Sequence, residues 1–266
     1  MNAFTRPLTG LLILFCIPLS NALAATPAAD KSVNWPGIKA MLFPDNPEII
    51  EDNVITLVTP PRAEDAALVP VILKFDRNQS DPAFIRKIHL VVDNNPSPVV
   101  GTFVMTRENG IADISTRIRV NAYSHVRAIA ETADGKLHMA TNYVKASGGC
   151  SAPAGADDEL AKKRMGKMKL RSQFDDDIRS LQLLVSHPNY SGLQIDQVTR
   201  LWIPSDYVNQ VDVTLNNQSV MSFTGGISIS ENPAFTFHLH PDQKGELKAE
   251  VKDSSGRAFA QSWTVQ

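Results

Sequence analysis

The apolar positions along the chain follow two periods. Over residues 30–43 they recur at spacings of three and four, and a proline ends the run, which predicts one short helix. From Ile55 to Lys145 apolar and polar residues alternate instead, as in Ile114, Thr116 and Ile118 between polar neighbours. About seven short runs of this kind in about ninety residues predict the half-buried strands of an immunoglobulin-like β-sandwich.

Turn residues separate the predicted strands. Asn109-Gly110 and Asp134-Gly135 each stand between two alternating runs and predict β-hairpins. In the second half the alternation returns, and the predicted strands are 178–185, 194–202, 208–215, 218–224, 235–239, 247–251 and 258–265. The predicted fold class is therefore all-β, with two immunoglobulin-like β-sandwich domains joined by a flexible, partly helical linker.

Residues 146–172 interrupt both periods. Gly148, Gly149 and Gly155 lie in a run of small residues that have no side chains to pack, so we expect this part of the chain to be mobile. Acidic residues then precede basic ones over 157–171, an order that suits a helix dipole. We interpret the whole stretch as the boundary between the two domains.

The first 24 residues have the features of a secretory signal. A basic residue precedes an apolar core that is too short to span a bilayer, and small residues suit a cleavage site after Ala24. The alternative is an uncleaved anchor, which the length of the core disfavours. The predicted organisation is a signal peptide at 1–24, a sandwich at 25–145, an arm and linker at 146–172 and a second sandwich at 173–266, in a periplasmic protein.

The net charge, the absence of known motifs and the spacing of the histidines argue against several functions. A formal net charge of −2 offers no electrostatic case for nucleic acid, and no phosphate-loop, metalloprotease or dinucleotide motif is present. His238 and His240 share one strand face, but two ligands are too few for a structural zinc site, so we interpret them as solvent-facing residues and predict no metal and no cofactor. The basic residues between Lys162 and Arg171 would attract an anion or an acidic partner, or form a solvated linker face, which we favour.

Cysteine usage is the most informative feature of the composition. The chain has two cysteines, and Cys16 would leave with the signal peptide, so Cys150 has no disulfide partner. An unpaired thiol in an oxidising compartment is a liability unless it is buried or used. Because small residues surround Cys150, we expect it to be exposed on a mobile arm, to react with thiol reagents and to be able to link two copies. A buried inert cysteine and a thiol enzyme with a Cys–His pair are the alternatives.

Several short motifs resemble one family. Ser147-Gly148-Gly149-Cys150 after a terminal strand resembles the carrier arm of SoxY, the covalent carrier subunit of bacterial sulfur oxidation. Further SoxY-like segments are 61–65, 69–71, 92–98 and 115–119, and SoxZ-like segments in the second half are His187-Pro188 with Gly192, Ile203-Pro204 and 229–233. Their order across both predicted domains resembles a fused SoxYZ-like carrier of the kind linked to quinoprotein dehydrogenases.

The resemblance implies a function for the lone cysteine. Cys150 would hold a sulfur-containing anion such as thiosulfate covalently while periplasmic redox enzymes, either Sox-type cytochromes or a quinoprotein dehydrogenase, act on it. The protein itself would be a carrier and not an enzyme. The competing hypothesis is a non-covalent adaptor or binding module for a periplasmic quinoprotein dehydrogenase, in which Cys150 is incidental.

Two departures from the family pattern bear on the cargo. Ser151 and Ala152 stand where glycines are expected after the cysteine, and the fusion tethers the arm at both ends. A tethered arm must enter a partner as a doubled chain. Either the site of the partner is wider, or a proteolytic cut frees the arm, or the cargo differs from thiosulfate.

Overall fold

The structure is a computed structural model that describes residues 32–153, 158–175 and 178–266. The predicted signal peptide at 1–24 and Gly155 lie outside these ranges. Within them, no helix is both long enough and apolar enough to cross a membrane.

The described chain is nearly all β-structure. Its helices are α1 (Trp35–Leu42) and α2 (Asp158–Arg164). The strands of the first half are β1 (Ile49–Ile50), β2 (Ile55–Val58), β3 (Val69–Phe75), β4 (Ile85–Val92), β5 (Val99–Met105), β6 (Ile114–Ile118), β7 (Ser124–Thr132) and β8 (Leu137–Val144). Those of the second half are β9 (Met168–Asp175), β10 (Ile178–Val185), β11 (Val208–Leu215), β12 (Gln218–Gly225), β13 (Ala234–Leu239), β14 (Gly245–Asp253) and β15 (Ala258–Val265).

Each half forms an immunoglobulin-like sandwich, and the two sandwiches join edge to edge. The nine-stranded sheet has the order β1-β8-β7-β4-β5-β12-β11-β14-β15, and the six-stranded sheet has the order β2-β3-β6-β13-β10-β9. The halves meet where β5 pairs with β12, with Met105 opposite Met221, and where β6 pairs with β13, with Ser115 opposite Thr236. Each sandwich thereby covers an edge that the other would leave unpaired.

The apolar core also crosses the join. The ring of Phe103 in β5 lies 4.9 Å from that of Phe223 in β12, and Phe223 lies 4.9 Å from Phe235 in β13. All three side chains are fully buried between the sheets. Because the two halves share one core cluster, burial of apolar surface holds them together in addition to the strand pairing.

The predictions for turns divide into one that is confirmed and one that is wrong. Asp134-Gly135 does connect the antiparallel pair β7 and β8, with Gly135 at a φ of 83°. Asn109-Gly110 makes no hairpin, since β5 and β6 lie in different sheets. A 3-10 turn forms instead because the Asn109 side chain accepts from the N–H of Thr106 and donates to the carbonyl of His238 in the second half.

Two strand assignments also differ from the prediction. Residues 168–172, assigned to the linker, belong to β9, which pairs with β10 along its length. Met168 and Leu170 of β9 pack against the core. The basic residues that alternate with them, Lys167, Lys169 and Arg171, give the sequence the composition of a solvated linker. The predicted strand at 194–202 does not form, and this stretch is an exposed hairpin loop with a single bridge between Ile195 and Trp202.

Candidate functional site

The segment that follows β8 is bound to the body of the protein through its main chain. We call residues 146–153 the arm segment. The N–H of Gly148 donates to the carbonyl of Asn121 at 2.8 Å, and the N–H of Gly149 donates to the carbonyl of Val120 at 3.1 Å. The N–H of Ser151 closes a tight turn onto the carbonyl of Gly148 at 3.1 Å. These bonds fix the segment against the β6–β7 connection.

Cys150 is fully buried, with 0% of its surface exposed. The prediction of an exposed thiol on a mobile arm is therefore wrong for this conformation. It rested on side chains, and the arm segment has almost none to pack, but its main-chain groups find partners that bury it. Any reaction of the thiol requires the arm segment to move away from its present position.

The glycines of the arm segment serve close packing. A Cβ atom at Gly149 would overlap the main-chain oxygens of Ala66 and Val120, so only glycine fits there. Gly148 has a φ of 79°, a left-handed conformation that side chains disfavour, although the space beside it is open. In this conformation both glycines let the arm segment lie flat on the surface beneath, and the flexibility expected of Gly148 and Gly149 stays a prediction.

Arg119 connects the arm segment to both halves of the molecule. Its guanidinium donates through Nη1 to the carbonyl of Gly149 and through Nη2 to the carbonyl of Asn189, each at 3.1 Å. Only 1% of Arg119 is exposed, and burial lowers its pKa, opposed by the nearby charge-bearing groups of Cys150, Glu231 and Asp65. Hydrogen bonds to a charged donor are among the stronger ones, so this residue holds the arm segment in place.

The second half contributes two more side chains to the same segment. Ser191 Oγ donates to the carbonyl of Cys150, and Gln194 Nε2 donates to the carbonyl of Ala152 at 2.8 Å. Gln194 Oε1 in turn accepts from the N–H of Ser191 at 3.1 Å, which orients both groups. The cysteine therefore lies at the join of the two sandwiches, and each sandwich supplies side chains that hold it.

The environment makes the thiol unreactive while the arm segment is bound. Burial raises the pKa of Cys150 from 9.0 to about 11, although the positive charge of Arg119 works in the opposite direction. At neutral pH the sulfur is then almost entirely a thiol, and the thiolate is the nucleophilic form. Enclosure and protonation together protect Cys150 from adventitious oxidation.

A partly buried charge cluster lies beside this site. His187 Nε2 is 3.4 Å from Asp253 Oδ2 and 3.9 Å from Asp206 Oδ1, and Arg257 forms ion pairs with both carboxylates. The N–H of Asn189 donates to His187 Nδ1 at 3.1 Å, which places the ring proton on Nε2. Burial lowers the pKa of His187, so the ring is neutral at pH 7.

The cluster is close enough to hold a metal ion, but its chemistry favours a structural role. His187, Asp206 and Asp253 each offer a ligand atom within 4.8 Å of the others. Binding through Nε2 would require removal of its proton, and Arg257 already pairs with both carboxylates. The cluster instead fixes the main chain around Asn189, whose carbonyl accepts from Arg119.

The other predicted candidates occupy other parts of the fold. His238 in β13 is half-buried and bonds to Ser180 Oγ at 3.0 Å, so it faces solvent only in part, and burial lowers its pKa to about 4. His240 lies beyond the end of β13, beside Gly110. The basic residues from Lys162 to Arg171 are divided between α2 and β9.

Sequence reasoning found the cysteine and missed the residues that hold it. Arg119 ends the SoxY-like segment 115–119, and Asn189 and Ser191 fall inside the SoxZ-like segment from His187 to Gly192. In the sequence, both segments indicate only the family resemblance. Arg119 falls on the polar side of the alternation, with Ser115 and Arg117, so the sequence pattern gives no signal that it is buried.

Comparison with known proteins gives two family matches in tandem. The family model "Sulfur oxidation protein SoxY" matches residues 39–150, and "Sulphur oxidation protein SoxZ" matches residues 168–264. The first match ends at Cys150, and the second begins at β9. Together they span both sandwiches.

Other comparisons are weaker. No curated protein matches the chain. Among solved structures, the sulfur carrier protein SoxY from Chlorobium limicola f thiosulfatophilum is 24% identical over 42% of this chain and 91% of its own, with a TM-score of 0.36. A superoxide reductase (neelaredoxin) from Ignicoccus hospitalis is 15% identical over 35% of this chain and 79% of its own, with a TM-score of 0.30.

Proposed function

This chain belongs to the fused SoxYZ-like family of sulfur-oxidation carrier proteins, which are not catalysts, and we propose that it carries its cargo covalently on Cys150 Sγ in the periplasm. The position of Cys150 is the observation that supports this most. It ends the SoxY-like segment at the join of the two sandwiches, and the hydrogen bonds that hold it there are all made to the main chain of the arm segment. These bonds do not involve Cys150 Sγ, which stays available for covalent attachment of the cargo.

The bound arm segment is the resting state of such a carrier. Five hydrogen bonds hold it, from Arg119, Ser191 and Gln194 and from the N–H groups of Gly148 and Gly149. At about 1 kcal/mol net for each, release costs on the order of 5 kcal/mol, which leaves the arm open about once in several thousand molecules. A partner that binds the open arm supplies that free energy.

Loading is an oxidation and needs a redox partner. When the Cys150 thiol joins a sulfur anion R–S⁻ to give Cys150–S–S–R, one S–S bond forms, one proton leaves and two electrons pass to an acceptor. A periplasmic c-type cytochrome or a quinoprotein dehydrogenase is an acceptor of the required class. The cargo is a sulfur-containing anion, for which thiosulfate is the first candidate.

Intact-mass spectrometry tests the covalent step directly. Protein purified from its source without reductant should include molecules heavier than the apo-protein, and Cys150→Ser protein should contain none. A wild-type protein of unmodified mass under sulfur-oxidising growth would contradict the proposal. So would full complementation of a deletion strain by Cys150→Ser, and the non-covalent adaptor would then replace the carrier.

Export is tested at the N-terminus. Mature protein from the periplasmic fraction should begin at or near Ala25, because cleavage follows Ala24. Recovery of an intact Met1 in the cytoplasmic fraction would contradict the periplasmic assignment.

A further inference from the structure

A hairpin loop beside the arm segment is held in shape by its own hydrogen bonds. We call residues 194–203 the apolar hairpin. Its two sides are joined by hydrogen bonds from the N–H of Asp196 to the carbonyl of Leu201 and from the N–H of Ile203 to the carbonyl of Gln194, each at 2.9 Å. At the tip, Asp196 Oδ1 accepts from the N–H groups of Val198 and Thr199 and from Thr199 Oγ1.

This ordered loop exposes large apolar side chains. Val198 is 90% exposed, Leu201 68% and Trp202 65%, and Ile195 is exposed as well. Single exposed apolar residues are ordinary, but four of them in eight consecutive positions on a well-bonded loop form a patch, which marks an interaction surface. Tryptophan in particular contributes much of the binding free energy at protein interfaces.

The base of the apolar hairpin is continuous with the site of Cys150. Gln194, its first residue, donates to the carbonyl of Ala152 and accepts from Ser191, which itself donates to the carbonyl of Cys150. A protein seated on the hairpin therefore lies next to the point where the arm segment leaves the surface. An enzyme that acts on the cargo must be in that place.

Basic residues lie in the hairpin and in the last turn of α2, beside Asp196 of the hairpin itself. Lys162 of α2 interacts electrostatically with Asp196, and the same helix carries the exposed Lys163 and Arg164. Arg200 is exposed at the tip. The carboxylate of Asp196 is occupied by hydrogen bonds within the loop, which leaves Arg200 at the tip and the basic end of α2 as the charged groups that a partner would meet.

We propose that the apolar hairpin is the docking site for the enzyme that acts on the cargo of Cys150, and that this enzyme presents an apolar pocket with acidic side chains at its rim. The inference rests on the proposed carrier function and adds the surface through which the carrier meets its partner. Trp202, Leu201 and Val198 fill the pocket, while Lys163, Arg164 and Arg200 face the acidic rim.

The test compares two pairs of exposed apolar residues in cells. One variant is Val198→Ser with Trp202→Ser; its matched control is Val33→Ser with Met41→Ser, which removes side chains that are 91% and 62% exposed at the other end of the described sequence. Each is expressed in the source bacterium in place of the native gene, and the fraction of Cys150 that bears an adduct is measured by intact mass. A carrier that cannot dock is either not loaded or not unloaded, so we expect the fraction to change at least about tenfold in the hairpin variant and to equal wild type in the control.

Charge reversal tests the acidic rim. Lys163→Glu with Arg164→Glu should shift the adduct-bearing fraction in the same direction as the hairpin variant, and Lys248→Glu with Lys252→Glu on β14 should not. An unchanged fraction in the α2 variant would overturn the acidic rim.

The remaining outcomes separate this inference from the function beneath it. A wild-type protein without any adduct contradicts the carrier function itself. A hairpin variant that is folded and loaded as wild type, while Cys150→Ser is inactive, overturns the docking site alone. Sedimentation that shows a wild-type dimer at micromolar concentration and a monomeric hairpin variant would also overturn it, because the occupant would then be a second copy of this chain.

Discussion

The arm segment and the apolar hairpin are neighbours with opposite compositions. The burial of each is the reverse of what its composition predicts. The arm segment has glycine, serine, alanine and one cysteine, yet Cys150 is fully buried. The hairpin has valine, leucine, isoleucine and tryptophan, yet Val198 is 90% exposed. Small residues allow two main chains to approach closely enough for hydrogen bonding. Large apolar residues that are exposed on an ordered loop are typical of a surface that binds another molecule.

The difference assigns separate tasks to the two regions. The arm segment is held by a handful of main-chain hydrogen bonds, which can be exchanged for equivalent bonds in another protein. The hairpin is held by its own turn and offers side chains, which recognise one surface and not others. Mutations in the first region should therefore change access to Cys150, and mutations in the second should change the choice of partner.

The largest effect on this comparison is expected from Arg119→Met. It removes two hydrogen bonds from a charged donor to the carbonyls of Gly149 and Asn189, at about 1.5–3 kcal/mol each. Because only the bond to Gly149 holds the arm segment directly, the rate at which a thiol reagent labels Cys150 in native buffer should rise about 10–150-fold. Stopped labelling with mass analysis measures it.

A second buried arginine provides the control. Arg179 is 2% exposed and donates to the carbonyls of Gln243 and Pro241, far from the arm in the bonding pattern. Arg179→Met should lower the free energy of unfolding without changing the labelling rate. Equal acceleration in both variants would show that global unfolding, and not release of the arm, exposes Cys150.

The next effect comes from the two glycines. Gly149→Ala places a Cβ against the main-chain oxygens of Ala66 and Val120, which cannot give way as a side chain would. Such overpacking costs about 1–3 kcal/mol, so labelling of Cys150 should rise about 10–100-fold. Gly148→Ala meets open space and only strains a φ of 79°, so its effect should be a few-fold. A larger effect at Gly148 than at Gly149 would mean that the bound arm does not lie against residues 66 and 120.

Sequence patterns predicted most strands because their burial alternates with period two. β3, with Val69, Val71 and Leu73 facing inward, is an example. They failed where a strand has a charged outer face at the sheet edge, as in β9, and where apolar residues serve another molecule, as in the hairpin. The edge-to-edge pairing of β5 with β12 had no local signal either, because an edge strand looks the same whether or not a neighbour completes it.

The site was predictable only in its cysteine. A lone cysteine after two glycines is visible in the sequence, but Arg119 reaches Gly149 from just after β6, and Ser191 reaches Cys150 from the second half, 41 positions further along the chain. Hydrogen bonds to main-chain carbonyls carry no sequence pattern, because every residue offers the same acceptor. The clearest local hint is Gly149, because only a residue without a Cβ atom can lie so close to the main chain of Ala66.

Alkaline pH should weaken the bound arm. The pKa of Cys150 is raised by burial to about 11 from 9.0, so the bound state is fully stable below pH 9 and loses stability as pH rises from 9 to about 11. Release should therefore become about fivefold more frequent between pH 9 and pH 10. Hydrogen exchange of the Gly149 N–H, corrected for intrinsic base catalysis, measures it, and Cys150→Ser protein should show no such trend. The same trend in the serine variant would assign the effect to another group.

The smallest effect is expected at Leu201 of the hairpin, measured against a leucine of the core. Leu201 in the hairpin is 68% exposed, and Leu183 in β10 is 1% exposed. Leu183→Ala should lower the free energy of unfolding by about 2–5 kcal/mol, because it leaves a cavity in the core. Leu201→Ala should change it by less than about 0.5 kcal/mol, since an exposed side chain makes few contacts in the isolated protein. Urea denaturation of both variants decides the matter. A loss at Leu201 comparable to that at Leu183 would mean that the hairpin packs on its own fold, and its apolar residues would then be unavailable for a partner.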